Sequence, residues 1–216
     1  MAELLRTHPL EAWTEAFASL PDSVGITVEP YVATVDVRLG ENPKLLDLPT
    51  MPNTWVPTAG GSDRSLQDAS TPRSARGGRP APDLAVWLGP DEWLLTSTEE
   101  APEELEARVR AAVVPLGGSA ADVSAQRIIL RLTGERVRDV LVRGCSIDLH
   151  PRVFRGPDTA RRGGIGHCAQ TTLGQAGVVL LALSDAGDDY LVFVRSSFAG
   201  HLADWLLDAA LEFTST

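Results

Sequence analysis

The sequence predicts an α+β protein: a single domain of two β-rich units, about residues 24–114 and 120–212, each closed by a packed helix. Three observations carry this. Short apolar runs with two-residue alternation recur in both halves. Each set leads into apolar residues at helical spacing, Leu105, Val109, Ala112 and Val113 first, then Phe198, Leu202, Trp205, Leu206 and Ala209. Setting Trp93 on Tyr190 also places Leu105 on Leu202, Val109 on Leu206 and Ala112 on Ala209, and VDVRLGE falls nearly in phase with IILRLTGE. A faint internal duplication with a period of about 95 residues is therefore expected.

Pro9 to Leu20 reads as an opening helix with Leu10, Trp13 and Phe17 on one side. Gly25 to Leu39 gives two strand-like runs around Glu29-Pro30, expected as a hairpin or bent strand pair, with Val35 and Val37 facing one way and Asp36 and Arg38 the other. Asn42 to Pro57 is Pro-rich and aperiodic and is expected to run as an extended connection. Thr58 to Pro82 is poor in apolar side chains, and a mobile loop is expected there. Leu84–Leu88, the Gly89-Pro90-Asp91 turn and Trp93–Thr96 make a tight hairpin. In the helix that follows, Glu104 with Arg108 and Glu106 with Arg110 are spaced as i, i+4 ion pairs.

The stretch from Asp122 to Leu149 organises the second half. Ile128, Ile129, Leu130 and Leu132 form a strand with Arg131 inside it, Thr133-Gly134 turns the chain, and Val137, Val140 and Leu141 line a short helix. Gly144 reads as its left-handed stop. Arg155 to Ala169 is a Gly- and Arg-rich connection, followed by strands at Val178–Leu183 and Tyr190–Val194. A last helix begins near Ser197, with Ser196 or Ser197 as N-cap.

Composition narrows the function classes. The chain of 216 residues carries a net charge of −10, so a nucleic-acid backbone would be repelled on average. The basic cluster Arg64, Arg73, Arg76 and Arg79 lies in a Ser-, Gly- and Pro-rich segment without aromatics and reads as a solvated loop. No apolar run approaches the roughly 20 residues of a membrane helix, and the N-terminus does not read as a secretory signal. The expected location is the cytoplasm, with Cys145 and Cys168 as reduced thiols.

Cys145, His150, His167 and Cys168 are zinc-ligand types at the wrong spacing: adjacent His167 and Cys168 point to opposite sides of an extended chain, and no C-x-x-C clamp exists. Gly163-Gly164-Ile165-Gly166 has neither the Lys-Ser/Thr nor the preceding strand of a phosphate loop. Ser124, Ser196 and Ser197 lack a nucleophile elbow. Asp122 and Asp148 flank the central unit as candidate acids or bases, although capping a turn is the commoner fate of Asp at element ends. Trp55, in an aperiodic apolar stretch, is a candidate partner surface, together with Met51, Arg143 and Arg195.

The Asp-x-Ser opening, strand, Gly turn and Val-Leu helix ending at Asp148-Leu149 resemble the first βα unit of the folate-binding family of the glycine-cleavage aminomethyltransferase. WLGPDEWLL, RGCSIDLHPRVF, HCAQTTLGQA and RSSFAGHLADWLLDA, in that order, resemble the gamma subunit family of heterotetrameric sarcosine oxidase, over most of the chain outside about residues 62–82. The resemblance implies a folate-domain fold serving as a non-catalytic accessory subunit, docked chiefly on the large alpha subunit with beta and delta subunits in the complex. It implies no cofactor in this chain, with FAD, FMN, NAD and zinc in the partners, and it carries no catalytic residue over to a numbered position here. The complex demethylates sarcosine to glycine, yielding hydrogen peroxide and, with tetrahydrofolate, methylenetetrahydrofolate. The alternative is an independent folate-binding aminomethyltransferase-like or maintenance protein. RGCSID resembles the Lys-Gly-Cys signature of a folate-dependent iron–sulfur maintenance protein but lacks its aromatic-Gly-Gln-Glu continuation.

Overall fold

The computed structural model describes residues 8–40, 46–58, 83–157 and 164–214. Residues 59–82 of the loop expected at Thr58–Pro82, with the Arg64–Arg79 cluster, and Arg161, Arg162 and Gly163 lie outside the described residues.

Among the described residues, ten strands form one antiparallel sheet: β1 Gly25–Val28, β2 Ala33–Arg38, β3 Thr54–Pro57, β4 Leu84–Gly89, β5 Glu92–Ser97, β6 Ser119–Asp122, β7 Arg127–Thr133, β8 Gly166–Leu173, β9 Ala176–Ala182 and β10 Asp189–Arg195. Their order is β1-β7-β10-β9-β8-β3-β4-β5-β2-β6. Outward from the short β8–β3 seam, one side runs β8, β9, β10, β7, β1 and the other β3, β4, β5, β2, β6. The helices are α1 Thr14–Ala18, α2 Pro102–Val113, α3 Val137–Leu141 and α4 Ala199–Ala210.

Alternation along the strands sorts apolar side chains into three cores. Ile128, Leu130 and Leu132 of β7, with Tyr190, Val192 and Val194 of β10, meet α1, α3 and α4. Val35 and Val37 of β2, with Trp93 and Leu95 of β5, meet Leu105, Val109 and Val113 of α2. The opposite faces turn toward each other: Trp55, Leu84, Val86 and Leu94 from one side pack with Ile129, Val179, Leu181, Leu191 and Phe193 from the other. The sheet thus curls into two facing leaves with helices outside, and strands buried on both faces lose the clean polar–apolar alternation of a half-exposed sheet.

Several expectations change. The two runs in Gly25–Leu39 do not pair: β1 joins β7, whereas β2 lies between β5 and β6 on the other side. Glu29, just past β1, still donates its amide to the Ile129 carbonyl of β7 at 2.9 Å, and the chain crosses to the other side between there and Ala33. Thr54–Pro57 is a strand paired to β4 and β8, not a connection. The presumed connection likewise turns into β8 from Gly166 onward. No serine side chain caps α4, which continues from a 3-10 turn at Ser196–Phe198. Phe198 is 46% exposed rather than part of the buried face. Arg110 pairs with Glu106 as spaced, but Arg108 turns to Glu100 at 2.6 Å, leaving Glu104 to accept from the Ala101 amide at the helix start.

Candidate functional site

The residues singled out from sequence do not converge. Asp122 accepts from the amide and hydroxyl of Ser124 at 2.9 and 2.6 Å, and the Ser124 hydroxyl in turn accepts from the Thr34 amide at 2.8 Å. The motif is a turn clamp that fastens the entrance of β7 to β2. Asp148 accepts from the His150 amide at 2.8 Å, a local turn closure of the same kind. Cys145 packs in the core beneath α3 and α4, while Cys168 lies in the inter-leaf core, where its thiol faces the Trp87 carbonyl. Burial pushes the Cys168 thiol up to about 12, the opposite of an activated nucleophile. The His167 ring packs against Phe154 and the Arg155 backbone. Among the described residues, no group of three or more His, Cys, Asp or Glu is placed to hold a metal ion.

Trp55 is wholly buried, so it is not a partner surface. Its indole N–H donates to the Ala182 carbonyl at 3.0 Å, across the inter-leaf core. The error has a physical source: strand β3 is only four residues long, too short for periodicity to register. Met51, just before it, is 57% exposed. Arg143 pairs with Glu212 and lies over the Phe213 ring at 5.8 Å, fastening the C-terminal turn to the end of α3.

Arg195 stands apart. It ends β10 directly opposite Arg127, the first residue of β7. A groove of about 460 Å³ opens beside them, lined also by Gln170, Thr171, Thr172 and Phe198. The Nε of Arg127 is buried without a hydrogen-bond partner. Burial foremost, and then the charge of Arg195, lowers the Arg127 pKa. Sequence reading missed Arg127, because register alone brings it opposite Arg195. At the other end of the same strands, Arg131 makes a two-pronged ion pair with Asp189, Nε to Oδ1 at 3.0 Å and Nη2 to Oδ2 at 2.8 Å. At the Arg127–Arg195 end, by contrast, neither cation forms an ion pair among the described residues.

A curled antiparallel sheet with outer helices places the chain in a fold class it shares with aminomethyltransferase T of the glycine cleavage system. The Bartonella henselae protein of that name superposes with a TM-score of 0.56 at 9% identity, over 90% of this chain and 48% of that one. A narrower relationship emerges from sequence. The model of the sarcosine oxidase, gamma subunit family matches residues 81–212, and the chain belongs to that family. It is similar to sarcosine oxidase subunit gamma of Corynebacterium sp. (strain P-1), at 37% identity over 130 residues, 60% of this chain and 58% of the relative. The corresponding Arthrobacter sp. protein is 35% identical over the same shares. The match thus spans little more than half the length of these relatives. A chain of the heterotetrameric sarcosine oxidase from Corynebacterium sp. U-96, in complex with pyrrole 2-carboxylate, shares the fold with a TM-score of 0.75 at 24% identity, over 98% of both chains.

Proposed function

We propose that the chain is a non-catalytic accessory subunit of a heterotetrameric sarcosine oxidase, docked chiefly on the large alpha subunit and stabilising the assembly with the beta and delta subunits. The observation that carries the reading is the family match over residues 81–212, which spans the hairpin, both long helices and the central unit. The complex demethylates sarcosine oxidatively to glycine, and FAD, FMN, NAD and zinc belong to the partner subunits. The location is the cytoplasm; among the described residues, no helix is long and apolar enough to cross a membrane.

Within this reading the fold is a duplicated unit, with halves at about residues 24–114 and 120–212. Support comes from the strand order running outward from the seam and from a constant offset: β5 and β10 start at 92 and 189, and α2 and α4 at 102 and 199, 97 residues apart in both cases. Superposing residues 31–114 on 125–211 tests it, and failure of these strands and helices to pair would remove it.

The functional test is genetic. Deleting the coding sequence from its native cell should abolish or sharply reduce soluble sarcosine oxidase activity, and re-expression should restore it. Unchanged activity in the deletion strain would reject the subunit reading.

A further inference from the structure

The Arg127–Arg195 groove has a property that the fold alone does not explain. Like charges directly opposite on neighbouring antiparallel strands cost stability, and here they face each other in the last register pair of β7 and β10. Among the described residues no acid pairs directly with either of them. Asp36 and Glu92 are near enough to act on Arg127 electrostatically, yet both are engaged by Arg38, Glu92 at 2.9 Å and Asp36 at 3.7 Å. Among the described residues neither Arg127 nor Arg195 makes an ion pair, in a chain whose net charge is −10. The Nε of Arg127 is itself buried without an acceptor, so this guanidinium is held at a cost in free energy.

The lining is mixed, with Val178 and Val179 beside the polar groups, and its charged members are both cations, which suits a carboxylate. Two arginines from directly opposed positions line the groove and carry forked donors suited to a carboxylate, and Gln170, Thr171 and Thr172 add polar groups to the wall. Phe198 stands exposed at the rim, where it offers an apolar surface for the methylenes of an acidic side chain. Arginine beside an aromatic ring, in a concave patch of opposite sign to the rest of the molecule, is a common composition for an interface anchor. We propose that this groove is a docking point of the subunit, receiving an Asp or Glu side chain of the partner between Arg127 and Arg195. The proposal rests on the subunit reading and names the surface that reading leaves open.

The test uses the full tagged chain co-expressed with the other subunits of the sarcosine oxidase complex. Retention of the large subunit is compared for wild type, Arg195→Glu and Arg152→Glu, the last an exposed arginine away from the groove that carries the same charge change. Arg195→Glu should lower retention by roughly tenfold or more while Arg152→Glu matches wild type. The Arg195→Glu chain should melt within about 2 °C of wild type, as expected for an exposed substitution. Should it fail to fold, Arg195→Gln removes the charge without reversing it and should still weaken retention. Wild-type retention equalled by Arg195→Glu or, where that chain does not fold, by Arg195→Gln would overturn the docking proposal and leave the subunit reading intact. The same result with inorganic phosphate raising the melting temperature of wild type but not of Arg195→Glu would reassign the groove to a free anion. No retention by wild type would sink the subunit reading itself.

Discussion

The Trp55 indole fills the space that a side chain at position 166 would occupy: a Cβ on Gly166 would lie 2.2 Å from the ring nitrogen. The two residues face each other in the β3–β8 register, the only pairing among the described residues that joins the two leaves of the sheet. The seam is two residue pairs long, so close packing adds to its few hydrogen bonds, among them the Cys168 amide to the Asn53 carbonyl at 2.9 Å.

Gly166→Ala should therefore destabilise the protein by about 1–3 kcal/mol, the usual cost of overpacking, because the opposing ring is fixed by its bond to Ala182. Gly177→Ala, where an added Cβ meets nothing within 4 Å, should stay within about 0.5 kcal/mol of wild type. Urea unfolding midpoints compare the two, and equal midpoints would refute the seam.

The Arg131–Asp189 pair is 15% and 6% exposed at its side chains. Asp189→Ala leaves a guanidinium buried beside Glu29, which compensates in part. A loss of about 3 kcal/mol is expected, near the low end for breaking a buried pair. A double-mutant cycle with Arg131→Met should recover much of that loss.

Burial raises the folded pKa of both Cys168 and Tyr190 to about 12. The native protein consequently keeps protons that the unfolded chain releases, so stability is full below the ordinary thiol and phenol values and falls as pH rises from there toward 12. The Tyr190 hydroxyl is buried without a hydrogen-bond partner, so Tyr190→Phe should be neutral or stabilising by up to about 1 kcal/mol and should flatten the alkaline limb. Thermal melts across that pH range would show it, and an unchanged limb would contradict it.

Cys168 should also resist alkylation at pH 8 in the folded protein and react promptly once denaturant is added. Mass spectrometry of the modified peptide reads this directly. Rapid labelling of the native state would place the thiol outside the inter-leaf core.

Periodicity made the long elements legible. The α2 and α4 faces, the β4–β5 hairpin and the β7–α3 unit stand where alternation and helical spacing put them. Short strands and long-range pairing were not legible. Four residues of β3 give no period, and nothing local reveals that β1 and β2 separate to opposite sides of the sheet. Gly144 shows the same limit. It is not in the left-handed region; its lack of a side chain is required because Trp205 and the Gly174 amide approach it, at 2.4 and 2.7 Å from where a Cβ would be. Of the surface candidates, Arg195 gained its significance only from Arg127, a neighbour 68 residues away in sequence.

The decisive measurement is a tagged pull-down from the native cell, with the retained proteins identified by mass and the eluate scanned for flavin absorbance. Co-purification of a large flavoprotein with sarcosine oxidase activity is the expected result. Recovery of the chain alone, colourless and stabilised against heat by tetrahydrofolate, would contradict it and establish an independent folate-binding protein.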